Sequence, residues 1–427
     1  MTAEKTVARN QPVIQSLQGF SGRKMDLSMV MLTFVICFLL SLVVLIYRDV
    51  RRTDLPPGID GPFKLFLISI MLHSSLRMGS ILEKLGICTK PTLLKWSSSA
   101  MPAGSEPRLY TIDTKFDNVT VRIYQPKGLS TGQRGVIYLY GGAGLFGSIK
   151  AYRKLCRYLS RESESVLVCV GQRLAPKHRC PTQIMDCITA TEYFLKNASD
   201  YGVDPNRIVI AGDSTGAGIV PLVCQHLLTR KDLPKVRAQI LLYPNIQTLD
   251  YNLPSYQQNR NVPILFTKWT VEFDLRFMNV KLAYLDQVLK GAHVSEEMKM
   301  KYKKWIHADH IPDEFKVRGY KPPPPVPFSK ELHEMMKLSF DRKHCALLVE
   351  DDIVRQLPET FMLTCEYDVL RDDGLLYKKR LEDNGVPVTW HHAKEGFHGI
   401  LSSVDWFFEW PCGRVAAEHV TSFIKQF

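Results

Sequence analysis

The chain carries ten cysteines in 427 residues, yet it has no C-x-x-C pair and no zinc-type ligand spacing. That pattern argues against a dithiol redox motif and a structural zinc site. A nucleic-acid-recognition motif is also missing, so nucleic acid is not an expected partner. The net charge of +12 comes from scattered Lys and Arg, densest at Lys299-Met300-Lys301-Tyr302-Lys303-Lys304. This cluster reads as a solvated helix face, with attraction to an anionic membrane surface as the alternative. Charge is absent from Leu27 to Tyr47, and no small-x-small cleavage site follows that stretch. A removable signal peptide therefore fits poorly.

What the stretch does contain is 21 residues, mostly Leu, Val, Ile, Phe and Met. As a helix it is long enough to cross roughly 30 Å of hydrocarbon, and it reads as an uncleaved signal anchor. Arg23 and Lys24 precede it, while Arg48, Arg51 and Arg52 follow, so the positive-inside rule does not decide its orientation. Two glycosylation sequons, at Asn118-Val119-Thr120 and Asn197-Ala198-Ser199, lean toward a lumenal domain downstream. An oxidising lumen would allow one or two disulfides. Cys169 and Cys365 fall in apolar strand patterns and read as small core residues.

The apolar fraction of 45% suits a packed globular protein. Residues 1–26 read as a polar tail, 27–47 as the span, and 48–106 as a linker followed by an N-terminal helix from Phe63 to Leu85. That helix is expected either to pack on the core, covering the cleft, or to lie against the membrane. Strand and helix patterns alternate over 107–246 and again over 346–427. Alternation of this kind implies an α/β fold with a mainly parallel sheet and helices on both faces. Residues 247–345 break the rhythm. They are basic and aromatic, with a four-proline run at Pro322 to Pro325, and are expected to form an inserted cap. Phe266, Trp269, Phe273, Phe277, Tyr284, Trp305 and Tyr320 within it either line an acyl pocket or form the cap's own core.

Gly212-Asp213-Ser214-Thr215-Gly216 lies between the strand pattern Arg207–Ala211 and a helical pattern that runs to Leu228. A G-x-S-x-G turn in that setting fits a nucleophile elbow. Serine needs a base, and the base needs an orienting carboxylate. Asp368 follows one later strand pattern and His398 the next, so both stand at strand ends after the serine. His391, His392 and His310 are rival bases. Asp372 rivals Asp368 but reads better as the cap of the following helix. Tyr140-Gly141-Gly142-Ala143-Gly144 follows a strand directly. It supplies candidate oxyanion amides at Gly142 and Ala143, joined by that of Thr215, each worth roughly 3–4 kcal/mol in the transition state.

These motifs, with Arg173-Leu174-Ala175-Pro176 between them, occur in the order of the hormone-sensitive lipase group of α/β-hydrolases. The N-terminal anchor and the Pro57-Gly58-Ile59 to Leu85-Gly86 stretch resemble the arylacetamide deacetylase-like subgroup. The resemblance implies a single-pass, type II protein of the endoplasmic reticulum, with a cytoplasmic tail over 1–26 and a lumenal serine hydrolase domain. It implies carboxylic esters, acylglycerols or aryl amides as substrates and no metal or organic cofactor. Four positions depart from the pattern that it implies. Tyr140 and Ala143 replace His and Gly of a His-Gly-Gly-Gly motif, Thr215 replaces a small alanine, and Lys177 replaces an acid. They leave a second reading, a weak or inactive hydrolase fold that binds lipid or a protein partner.

Overall fold

The computed structural model describes residues 27–100, 104–128 and 131–427. The expected tail over 1–26 lies outside the described residues. The chain divides into two compact units, Met1–Arg48 and Asp49–Phe427. In the first, the described residues belong to helix α1, Leu27–Val50. Met31, Val35, Ile36, Leu40, Val44 and Leu45 on α1 are exposed, an apolar surface spread around the helix.

The second unit begins with two helices, α2 (Pro62–Lys84) and α3 (Lys90–Ala100). Length and composition alone would let α2 cross a membrane. One stripe of it is nevertheless buried in the unit, through Leu65, Ser69, His73, Leu76 and Gly79. This 4-4-3-3 spacing is that of a single helix face packed on a core.

An eight-stranded sheet follows. Its strands are β1 (Leu109–Phe116), β2 (Val119–Pro126), β3 (Gln133–Leu139), β4 (Ser165–Gly171), β5 (Val203–Asp213), β6 (Ala238–Leu242), β7 (Glu359–Tyr367) and β8 (Val388–Phe397). The order across the sheet is β1-β2-β4-β3-β5-β6-β7-β8. β2 runs antiparallel to both β1 and β4, and the other pairings are parallel. This is the mainly parallel α/β architecture expected from the alternating patterns. Asp117 and Asn118 make the β1–β2 turn with φ of 43° and 70°, the left-handed pair that suits a tight hairpin.

Side chains alternate across β3. Val136 and Tyr138 enter one core, with α4 (Ile149–Ser163) and the last helix, Pro411–Ile424. Ile137 and Leu139 enter the other, with α5 (Thr182–Lys196) and α6 (Thr215–Leu227). Both faces are covered, so the central strands are nearly continuous apolar runs. Between β6 and β7 the chain leaves the sheet. Its longest helix there is α7 (Thr267–Phe277), accompanied by shorter helical turns. The sheet then resumes with β7, α8 (Arg371–Asp383), β8 and α9 (Pro411–Ile424).

The final strand runs to Phe397, which brings its C-terminal end directly to His398. One local expectation is corrected. Asp372 does not cap α8. That helix starts at Arg371 with Leu370 in the cap position, and Asp372 is buried in the first turn. Its carboxylate accepts hydrogen bonds from the Ser255 amide at 2.7 Å and Arg371 Nε at 2.9 Å. Among the described residues none of the ten cysteines is disulfide-bonded, and Cys169 and Cys365 are buried, as the strand patterns suggested.

Candidate active site

The turn from β5 into α6 places Ser214 at φ 52°, ψ −124°, a conformation L-residues seldom adopt. The surrounding backbone holds it there. The Ser214 amide donates to Leu242 O at 2.9 Å, and its carbonyl accepts from the Gly218 and Asn245 amides at 3.1 Å each. Strand and helix pass so closely that a Cβ on Gly216 would lie 2.0 Å from Leu139 O. One on Gly212 would lie 2.7 Å from the Gly216 carbonyl carbon. The two glycines are therefore steric requirements of the turn.

His398 and Asp368 converge on this serine. His398 Nε2 is 3.1 Å from Ser214 Oγ, and its Nδ1 is 2.8 Å from Asp368 Oδ2. Asp368 is 1% exposed, and its other oxygen accepts from the Leu370 amide at 2.9 Å. Asn259, from the segment between β6 and β7, donates to the Asp368 carbonyl at 2.8 Å. Sequence reading did not single out Tyr243. It directly follows β6, and its ring meets the His398 ring edge-on at 5.0 Å.

The rival residues lie elsewhere. His391 pairs with the His419 ring, His392 contacts Thr364 and Glu366, and His310 contacts Lys303 O. Asp372 serves Arg371 and Ser255.

The loop after β3 has three successive left-handed residues: Gly142 at φ 100°, Ala143 at 56° and Gly144 at 64°. Gly142 O accepts from the Leu145 and Phe146 amides at 2.9 and 3.0 Å. In a trans peptide the N–H points opposite to the preceding carbonyl, so the Ala143 amide points away from residues 145 and 146. A Cβ on Gly141 would lie 2.9 Å from Ser214 Cβ, which measures how closely this loop passes the serine. The Thr215 amide is in the first turn of α6, where helix geometry leaves amides without an intrahelical acceptor.

One buried carboxylate ties the loop to the elbow. Asp213 Oδ1 accepts from Tyr138 Oη and the Gly141 amide, each at 3.0 Å, and Oδ2 accepts from Tyr152 Oη at 2.8 Å. Burial pushes its pKa above the usual carboxylate range, opposed by the hydrogen bonds from Tyr152, Gly141 and Tyr138. Beside the same two turns lies a cavity of about 80 Å³, lined by Ala143, Thr215, Gln183, Asn245 and Asp274 among others. Burial raises Asp274 to about 7, although Tyr251 Oη donates to it at 2.9 Å.

The α/β hydrolase fold family matches this chain over residues 136–290 and 328–402. Human arylacetamide deacetylase-like 4 is 40% identical over 92% of this chain and 98% of its own length. The chain belongs to the arylacetamide deacetylase-like α/β-hydrolases. Mouse arylacetamide deacetylase is 35% identical over 86% of the chain and 94% of its own length. A solved carboxyl esterase of the fungus Tuber melanosporum superposes with TM-score 0.56 at 21% identity, covering 76% of this chain and 88% of that one, a likeness of fold. The chain is accordingly a hydrolase of the carboxylesterase and deacetylase type.

Seen within this family, the departures have local explanations. Tyr140 does not imitate an imidazole. Its ring stacks on Tyr152 at 5.4 Å, its hydroxyl donates to Gln172 O at 3.4 Å, and Gln172 Nε2 donates back to Tyr140 O at 3.2 Å. Ala143 takes on left-handed strain, but it packs against an apolar cluster that includes Leu76, Leu94, Leu145 and Phe273. Thr215 Oγ1 is buried with no protein partner, beside the cavity its residue lines. Lys177 is exposed, so its reversed charge faces water.

The cap aromatics divide. Trp269, Phe273 and Phe277 join the cluster around Ala143, whereas Trp305 belongs to the core beneath the sheet, stacked on Arg380 at 3.5 Å.

Proposed function

We propose that this chain is a membrane-anchored serine hydrolase that cleaves carboxylic esters through an acyl-enzyme. The observation that carries the reading is the continuous relay from Ser214 Oγ through His398 to Asp368, at 3.1 and 2.8 Å. His398 takes the hydroxyl proton as Ser214 attacks the acyl carbon. Asp368 holds the imidazole's tautomer and stabilises the imidazolium. The amides of Gly142, Ala143 and Thr215 receive the oxyanion. His398 then protonates the leaving alcohol or amine. Water, deprotonated by the same imidazole, releases the acid and restores the serine. The relatives named for deacetylation support esters and amides of small acyl groups, of acylglycerol or aryl type, as substrates.

α1 is the membrane anchor in this reading, oriented as a type II span of the endoplasmic reticulum with the hydrolase unit in the lumen. Residues 247–345 form a cap over the C-terminal edge of the sheet, supported by the bond from Asn259 to the Asp368 carbonyl. Asn118 is the better glycan acceptor because it is exposed at a hairpin tip. Asn197 spends its side-chain amide on Tyr193 O at 2.7 Å. Endoglycosidase treatment should shift the mass of the Asn118 peptide.

A fluorophosphonate probe tests the chemistry. Full-length protein should be labelled at Ser214, and Ser214→Ala should abolish the label. A folded protein that is not labelled at Ser214 favours the second reading, a hydrolase fold that binds without turnover.

A further inference from the structure

Helix α2 is amphipathic in an inverted sense. A helix on the surface of a protein in water normally turns its charges outward. Here Lys64 donates to Glu409 O at 3.3 Å, Arg77 pairs with Asp49 at 2.5 Å, and Glu83 pairs with Arg276 at 2.8 Å. The hydroxyls of Ser74 and Ser80 turn back onto the carbonyls of Ile70 and Leu76. What faces outward is the row Phe63, Leu67 and Met71, spaced one turn apart, with Phe63 72% and Met71 66% exposed. Leu85, just past the helix, is exposed as well.

A second apolar element adjoins the start of this helix. The loop before α9 carries Phe407, 82% exposed, its ring tilted against that of Phe408 at 4.0 Å between ring centres. Its next residues touch the beginning of α2. Glu409 receives Lys64, and the Cys412 amide donates to Asp60 Oδ2 at 2.9 Å. Trp406 of the same loop lines a cavity of about 250 Å³ that also includes Gly142 and Phe146 of the oxyanion loop.

We infer that the outer face of α2 and the Phe407–Phe408 tip form a surface that lies in the bilayer interface, so that the catalytic unit takes its ester from the membrane. Three observations favour a lipid surface over a protein partner. The outward row Phe63, Leu67 and Met71 carries no charge, the hydroxyls of Ser74 and Ser80 are satisfied within the helix as they must be in hydrocarbon, and aromatic rings stand at its edge. The tether agrees. Eleven residues, 51–61, separate α1 from α2 and reach no more than about 40 Å. The inference rests on the anchored reading of α1 and adds a second point of membrane contact that α1 does not require.

The test is photolabelling of the full-length protein in phosphatidylcholine vesicles doped with a diazirine-bearing phosphatidylcholine. After irradiation, lipid adducts are mapped by peptide mass spectrometry. Adducts on 63–71 and 407–408, in addition to 27–47, are expected. Adducts confined to 27–47 would overturn the surface while leaving the anchor standing, as would a face found to be covered by a second copy of the chain. Adducts on 63–71 without any on 27–47 would uphold the surface and overturn the anchor. Adducts nowhere would overturn both.

A kinetic measurement separates this surface from the chemistry. Joint Phe63→Ser, Leu67→Ser and Phe407→Ser substitution should raise KM for a vesicle-borne ester about tenfold or more. Turnover of a water-soluble acetate ester should stay within about twofold, since these side chains are exposed and none belongs to the Ser214–His398–Asp368 relay. Equal KM values for the vesicle-borne ester in the two proteins would contradict the inference.

Discussion

The elbow at Gly212–Gly216 and the loop at Gly141–Gly144 turn at the ends of adjacent parallel strands, β5 and β3, yet they bear strain differently. In the elbow a single residue, Ser214, is left-handed at φ 52°, clamped by three backbone hydrogen bonds and two glycines that tolerate no Cβ. In the loop three consecutive residues are left-handed, and an alanine holds the middle place. Strain at the elbow cannot be relieved without moving Ser214 away from His398. Strain at Ala143 is exchanged for packing of one methyl group against the cluster of Leu76, Leu145 and Phe273. The chemistry therefore has a rigid half and an adjustable half, joined by Asp213.

Breaking the rigid half should have the largest effect. Gly216→Ala pushes a methyl onto Leu139 O, 2.0 Å away, and should destabilise the protein by more than about 4 kcal/mol, read by chemical denaturation. A loss below about 1 kcal/mol would mean that the elbow is looser than described.

Removing the joint comes next. Asp213→Ala leaves Tyr138, Tyr152 and the Gly141 amide without their acceptor, at a cost of about 3 kcal/mol and roughly 100-fold in kcat/KM. Asp213→Asn keeps one acceptor oxygen and should recover most of both. Equal damage from the two substitutions would argue against a positioning role.

The cavity shared by Ala143 and Thr215 offers a pH test. Asp274 is raised from 3.8 to about 7, so the folded state holds its proton more tightly than the unfolded chain. Its contribution favours folding at low pH, declines as pH rises through that window, and is lost above it. Asp274→Asn should remove this slope and leave the variant about 2 kcal/mol more stable at pH 8. Unfolding curves with the same pH slope in both proteins would contradict it.

The smallest effect is expected in the adjustable half. Ala143→Gly relieves left-handed strain but loses a packed methyl and gains unfolded-state entropy. Stability should change by no more than about 1 kcal/mol, and kcat/KM by no more than about fivefold. A collapse of activity would show the alanine to be a requirement of the loop.

Much of the site was legible in the chain because an α/β sheet puts its chemistry at strand ends. Ser214 and Asp368 each follow a short apolar run, His398 follows the end of β8, and a glycine-rich run follows β3. What stayed hidden depends on distance. Nothing near Asp213 announces that Tyr138 and Tyr152, 75 and 61 residues away, donate to it. Tyr243 could be found only by knowing which strand neighbours β7. Asp372 was misread because an acid near a helix start resembles a cap, whereas α8 begins one residue earlier and draws it inside. Residues between β6 and β7 were legible only as an interruption, since short helical turns leave little periodicity.

The acyl-enzyme itself is the most direct test. Full-length protein is mixed with a p-nitrophenyl ester, quenched in acid within the first turnover, and digested for mass spectrometry. The account predicts an acyl group on the peptide containing Ser214, with Ser214→Ala showing neither the adduct nor more than roughly 10⁻⁴ of the turnover. Undiminished hydrolysis by a folded Ser214→Ala protein, or an acyl group carried by another residue, would contradict it.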